Sequence, residues 1–281
     1  MAGFRINFVS DSVKDAMDVY VIIPQKKRIR NAQEPEITPG SFDKEYPVLM
    51  LLHDEASSPG ELLSMSRAER YANEHQLMLV VPTGLLSFYT DYAERDRSSN
   101  EADKTSGNAG IENNFTEMCY ETYIIDVLTY IQKIFPASTA REKTWIGGIG
   151  MGGFGALKLG MKYPQIFSKV FSISGDVDLQ WKIEHEPWRR EQFLSIFGEG
   201  ALSGLNDLPQ ACLKMSKSGG ALPQLLLLWN KNDGKDDMNQ RLADVLDHTY
   251  PGFKAKRWEE PYGWDYIDDA INMAFHWASL D

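Results

Sequence analysis

Cysteine is nearly missing from this chain of 281 residues. Cys119 and Cys212 are too few for a disulfide framework, and neither stands in a C-x-x-C pair. Long apolar runs are lacking too. No segment is long enough to span a bilayer, and the opening Met1-Ala2-Gly3-Phe4-Arg5 has no signal-peptide stretch. Basic charge is in deficit: 29 Lys+Arg face 40 Asp+Glu, giving a net charge of -11 and a pI near 5.0. A nucleic-acid or anionic-membrane partner would have to overcome that repulsion, so neither is expected. These absences predict a soluble cytoplasmic protein without metal or cofactor, and a homo-oligomer is compatible with them. What is present is a globular balance of 43% hydrophobic and 25% charged residues, enough for a large core. The length suits one α/β domain over 1–281.

Along the chain, Phe4 to Ser10 and Met17 to Pro24 read as strands, and the charged, proline-bearing stretch from Lys26 to Tyr46 as a surface loop. Val48 to Leu52 and Leu77 to Val81 are continuous apolar runs, the mark of strands buried on both faces. A helix is predicted between them, from about Pro59 to His75. Tyr92 to Asn113 is a long polar loop, and Asn114 with Glu117 resembles a helix cap before the periodic residues Tyr120 to Phe135. Further strands are predicted at Val170 to Ser174, Leu225 to Trp229 and Lys254 to Trp258. Helices follow at about Met238 to His248 and Tyr266 to Ser279. Residues 179–219 are mixed and partly helical, and form a small cap. Strands alternating with helices imply a doubly wound, mainly parallel sheet.

The informative stretch is Trp145-Ile146-Gly147-Gly148-Ile149-Gly150-Met151-Gly152-Gly153-Phe154-Gly155. An apolar strand enters a glycine turn and a helical pattern follows at once. That is the layout of a nucleophile elbow, G-x-S-x-G, with Gly148 and Gly152 as the outer glycines. Gly150 stands where the serine belongs. A phosphate-binding loop would end in Gly-Lys-Ser/Thr, which Gly152-Gly153-Phe154 does not. A dinucleotide fingerprint lacks its acidic residue on a following strand.

Together with Pro47-to-His53, Ser87-Phe88-Tyr89-Thr90, Arg141-Glu142-Lys143, Gly148-to-Lys158 and Ser172-Ile173-Ser174-Gly175, the elbow carries a resemblance over nearly the whole chain. The sequence resembles the esterase family of S-formylglutathione hydrolase and the bacterial tributyrin esterases. The resemblance implies an α/β-hydrolase fold and hydrolysis of small acyl esters by a Ser-Asp-His triad. It carries the triad acid to Asp233, the nucleophile position to Gly150 and the histidine position to Tyr262. The oxyanion donors fall on the backbones of Glu55 and Met151. His53, Asp54, Tyr89, Asp91 and Trp264 are placed around the pocket.

A phenol with a pKa near 10 is a poor acceptor for a serine proton. Asp54 replaces a glycine of the oxyanion loop, and Asp54 with Glu55 would raise the energy of an oxyanion formed beside them. Three readings stay open: a natural non-hydrolytic protein that keeps a small acyl or sugar-like ligand in the old cleft, an active carboxylesterase using rewired acids, and an engineered inactive mutant.

Overall fold

The computed structural model describes residues 1–25, 45–92, 118–199, 202–217 and 219–280. The apolar runs make the middle of one sheet. The strands β3 (Val48–Leu52), β4 (Met78–Pro82), β5 (Thr144–Ile149), β6 (Lys169–Ile173) and β7 (Gln224–Asn230) are buried along nearly all their length. Two longer strands, β1 (Ala2–Ser10) and β2 (Asp15–Ile23), flank one side, and β8 (Lys254–Trp258) flanks the other. The order is β1-β2-β4-β3-β5-β6-β7-β8. β2 runs antiparallel to both neighbours, and every pair from β4 onward is parallel. This is the doubly wound, mainly parallel sheet that the alternation of strands and helices predicts.

Strand alternation divides the core between the two faces. Val48, Met50 and Leu52 pack with α3 (Tyr120–Ile134), α4 (Met151–Lys162) and α8 (Asp236–Thr249). Leu49 and Leu51 pack on the other face with α1 (Pro59–Met65), α2 (Ala68–Glu74) and α9 (Trp264–Ser279). The described residues of the stretch 179–219 carry the helices α5 (Leu179–His185), α6 (Arg190–Phe197) and α7 (Leu208–Ser216). The side chains of Asp178 and Asp207 accept from backbone amides at the starts of α5 and α7.

The helix predicted from Pro59 to His75 is in fact two, because Ser66 is extended (φ -122, ψ 168). Asp268 of α9 accepts from the Arg67 backbone amide at 2.6 Å and from Arg67 Nε at 2.7 Å, which holds the chain off the helical path. The proposed cap Asn114–Glu117 and most of the polar loop lie outside the described residues.

β5 passes into α4 through Gly150, whose backbone (φ 54, ψ -116) is a conformation L side chains rarely adopt. The outer glycines are needed for space. A Cβ on Gly148 would strike the Gly152 backbone, and one on Gly152 would strike the Leu52 carbonyl. Backbone cannot yield as a side-chain tip can. Gly152→Ala is therefore expected to cost about 1–3 kcal/mol, read as a lower urea midpoint at an unchanged slope. An unchanged midpoint would show that the turn has slack.

Candidate active site

Parallel strands bring their carboxyl ends to one edge of the sheet, and the candidate residues stand in the loops there. β3 ends at His53-Asp54-Glu55, β5 at Gly150, β6 at Ser174-Gly175-Asp176 and β7 at Asn230 to Lys235, while β8 leads to Tyr262.

His53 and Tyr89 build the floor. His53 Nε2 accepts the Gly84 N–H at 2.8 Å, so Nδ1 carries the proton and donates to the Asp54 carbonyl at 2.7 Å. Burial lowers the pKa of this ring and keeps it neutral. The Tyr89 hydroxyl donates to the His53 carbonyl at 3.2 Å, and its ring fills space that Cβ atoms on Gly84 and Gly155 would need. Both side chains are buried and shape the loop from beneath.

Asp54 occupies the centre. Its Oδ1 accepts the Glu55 N–H at 2.7 Å and the Met151 N–H at 2.9 Å. These are the two amides expected to hold an oxyanion. The Asp54 carboxylate thus stands in the oxyanion position itself and not merely beside it. A Cβ on Gly150 would fall inside the Asp54 carboxylate. The glycine at 150 and the aspartate at 54 are thus one feature, since the first makes room for the second.

The remaining expected residues divide. Asp233 accepts from the Lys235 amide at 2.7 Å and the Asn230 amide at 3.3 Å, so its carboxylate closes the turn after β7. Tyr262 is 43% exposed, and its phenol feels the charges of Lys235, Asp54, Asp233 and Asp176. Burial raises its pKa and keeps it protonated. Trp264 opens α9 and packs against the core on the opposite face. Asp91 belongs elsewhere. It accepts the Glu121 amide at 2.8 Å at the start of α3, beside the buried Lys158–Glu121 ion pair. Asp91 is thus engaged at the start of α3 and not at the pocket position that the resemblance gave it.

Four residues of this edge escape sequence reasoning. Asp176 is fully buried, and its Oδ1 binds Lys182 Nζ at 2.9 Å and Lys235 Nζ at 3.0 Å. Burial opposes its charge, but the two lysines outweigh that and lower its pKa. Burial likewise opposes the charge of Lys235, but Asp176 and Asp54 raise it overall. Arg189, in the turn before α6, grips both oxygens of Glu55 at 3.0 and 2.5 Å. Lys182 reaches Glu55 at 3.7 Å and Glu186 at 3.4 Å. Helix α5 and the turn before α6 are thereby tied to the loop that supplies an oxyanion amide. The only sequence signal was position, since Asp176 and Lys235 each closely follow a strand's carboxyl end.

A profile described as "Putative esterase" matches residues 10–251. The chain belongs to the Esterase family. Within reach of that family, an acetyl esterase of Caldicellulosiruptor saccharolyticus is 26% identical over 289 residues, covering 99% of this chain and 98% of the relative. FphF, a fluorophosphonate-binding serine hydrolase of Staphylococcus aureus, superposes with a TM-score of 0.80 at 24% identity, over 100% of this chain and 99% of that one. The S-formylglutathione hydrolase FrmB of the same organism gives 0.76 at 22%, covering 99% of each. At these identities the two structures establish the α/β-hydrolase fold of this esterase-family chain. None of its described helices is long and apolar enough to cross a membrane.

Proposed function

We propose that this esterase-family chain does not hydrolyse esters and that its cleft receives a small ligand rich in hydroxyl groups, sugar-like in character. The observation that carries this reading is the Asp54 carboxylate, which takes both amides that would stabilise a tetrahedral oxyanion. An acyl carbonyl entering the cleft would find those donors occupied and would meet a negative charge. Ester hydrolysis draws most of its electrostatic stabilisation from such donors. It also needs a nucleophile and a base, and the matching positions hold Gly150 and Tyr262. Hydroxyl groups suit the same surroundings better, because carboxylate oxygens accept their protons and the Tyr262 phenol donates in return.

The test is a chromogenic short-chain ester together with a fluorophosphonate probe. Neither turnover above background nor labelling is expected. Turnover that a serine reagent abolishes would overturn the proposal in favour of an active carboxylesterase.

A further inference from the structure

We infer that Asp54 is a positioned carboxylate nucleophile, able to capture a small epoxide as a stable ester. This role is additional to the absence of ester hydrolysis and follows from where the two oxygens of Asp54 stand.

Oδ1 is fixed by two amide donors, from Glu55 and Met151. Oδ2 receives no hydrogen bond from the described residues, and it is not among their buried unpartnered atoms. Asp54 is only partly covered, and Oδ2 is the oxygen not committed to an amide. The whole group fills the volume that a side chain on Gly150 would take. A carboxylate from β3 therefore replaces the elbow's own side chain at the sheet edge. Carboxylates are competent nucleophiles toward carbon when held in place, and fixing the group in advance removes much of the entropic cost of attack.

An epoxide fits what lies around it. Attack needs no oxyanion donors beyond those already used, because the carbon attacked is tetrahedral and the charge develops on the departing ring oxygen. Tyr262 stands at the same sheet edge: its ring lies 5.8 Å from that of Tyr266, whose hydroxyl meets Ser174 at 3.0 Å, next to the Ile173 carbonyl that accepts the Gly150 N–H. In the step, Oδ2 forms a bond to the less hindered ring carbon, and the C–O bond of the ring breaks. The ring oxygen takes the Tyr262 proton. The phenolate recovers a proton from water and releases hydroxide. The product is a β-hydroxyalkyl ester of Asp54, with its carbonyl oxygen still held by the two amides.

Release of that ester requires a base to activate water. His53 is buried and bound on both ring nitrogens, and His185 stacks on Trp181. His75 faces His276 between α2 and α9, and His248 ends α8. Those are all five histidines of the chain. Asp233, which closes its own turn, has no imidazole beside it to orient. With none of the five imidazoles placed to activate water, the captured ester persists.

The experiment incubates the full chain with excess 1,2-epoxybutane, followed by intact mass and peptide mapping. The chain's 40 acidic residues compete, so selectivity is itself a readout. The expected result is one adduct, mapped to Asp54, which survives gel filtration and is cleaved by hydroxylamine. Asp54→Asn keeps the shape and should lose it. Tyr262→Phe should slow capture about 100-fold by removing the proton donor. Adducts spread over surface carboxylates or confined to Cys119, or Asp54→Asn labelled at the parent rate, would overturn the inference. Mapping on the unsubstituted chain keeps the test valid should a variant fail to fold. Ester hydrolysis is measured separately, so either proposal can fail alone.

Discussion

Gly150→Ser alone is expected to leave ester hydrolysis at background and to destabilise the protein. The added Cβ would fall inside the Asp54 carboxylate, and the backbone at 150 is strained for any residue but glycine. Strain of that kind costs about 1–3 kcal/mol. Adding Tyr262→His supplies a base that Asp233 can orient, since a carboxylate has room for an acceptor role beyond the two amides it already serves. The double variant still has both oxyanion amides bound to Asp54, so it too should stay near background. Asp54→Gly frees those amides and the space for the serine together. Losing one such donor typically costs about a hundredfold or more. The triple variant should therefore exceed the double by at least that factor in initial rate on a short acyl ester. Full activity from Gly150→Ser alone would refute the argument, because an unrecognised base would then be at work and Asp54 would have moved aside.

Asp176→Asn should be the most damaging single substitution at the sheet edge. It leaves Lys182 and Lys235 without the fully buried carboxylate that both contact. Breaking a buried ion pair by removing one partner costs about 3–5 kcal/mol. At a few degrees per kcal/mol, the thermal midpoint should fall by roughly 10 °C. The pH dependence follows from the two shifts. Asp176 is lowered, so its contribution is fully present above the ordinary carboxylate value near 4 and disappears as pH falls through its folded value. Lys235 is raised, so its contribution is fully present below the ordinary lysine value of about 10.4 and disappears as pH rises through its folded value. The gap between parent and variant should be flat from about pH 5 to 9 and shrink beyond both ends. Urea unfolding across that range measures it. A gap under about 1 kcal/mol would mean that the lysines find other partners.

How much was legible follows from the range of each interaction. Val48 to Leu52 and Lys254 to Trp258 were read to the residue, because local pattern and turn residues decide them. The elbow was legible because its glycines answer to contacts within a few residues and to one neighbouring strand. The break at Ser66 and Arg67 was not, since Asp268, which causes it, lies 201 residues away from Arg67. Asp91 was misplaced for a related reason. Being in a matched segment fixed its neighbourhood in sequence, but its partner Glu121 lies 30 residues further along the chain. Aspartate at 54 and glycine at 150 could each be seen as departures from the pattern. Their shared space could not, because no spacing rule links positions 96 residues apart in sequence that touch only through adjacent strands β3 and β5.

That shared space imposes a direction on sequence change. Serine at position 150 beside Asp54 pays in both strain and overlap, whereas glycine at position 54 beside Gly150 removes only a carboxylate and leaves an empty anion site. Any stepwise route between this arrangement and a serine-bearing elbow must therefore alter position 54 while position 150 is still glycine. The two sites are conditional on each other: a side chain at 150 requires that Asp54 be gone, and an aspartate at 54 requires glycine at 150, so every route passes through glycine at both.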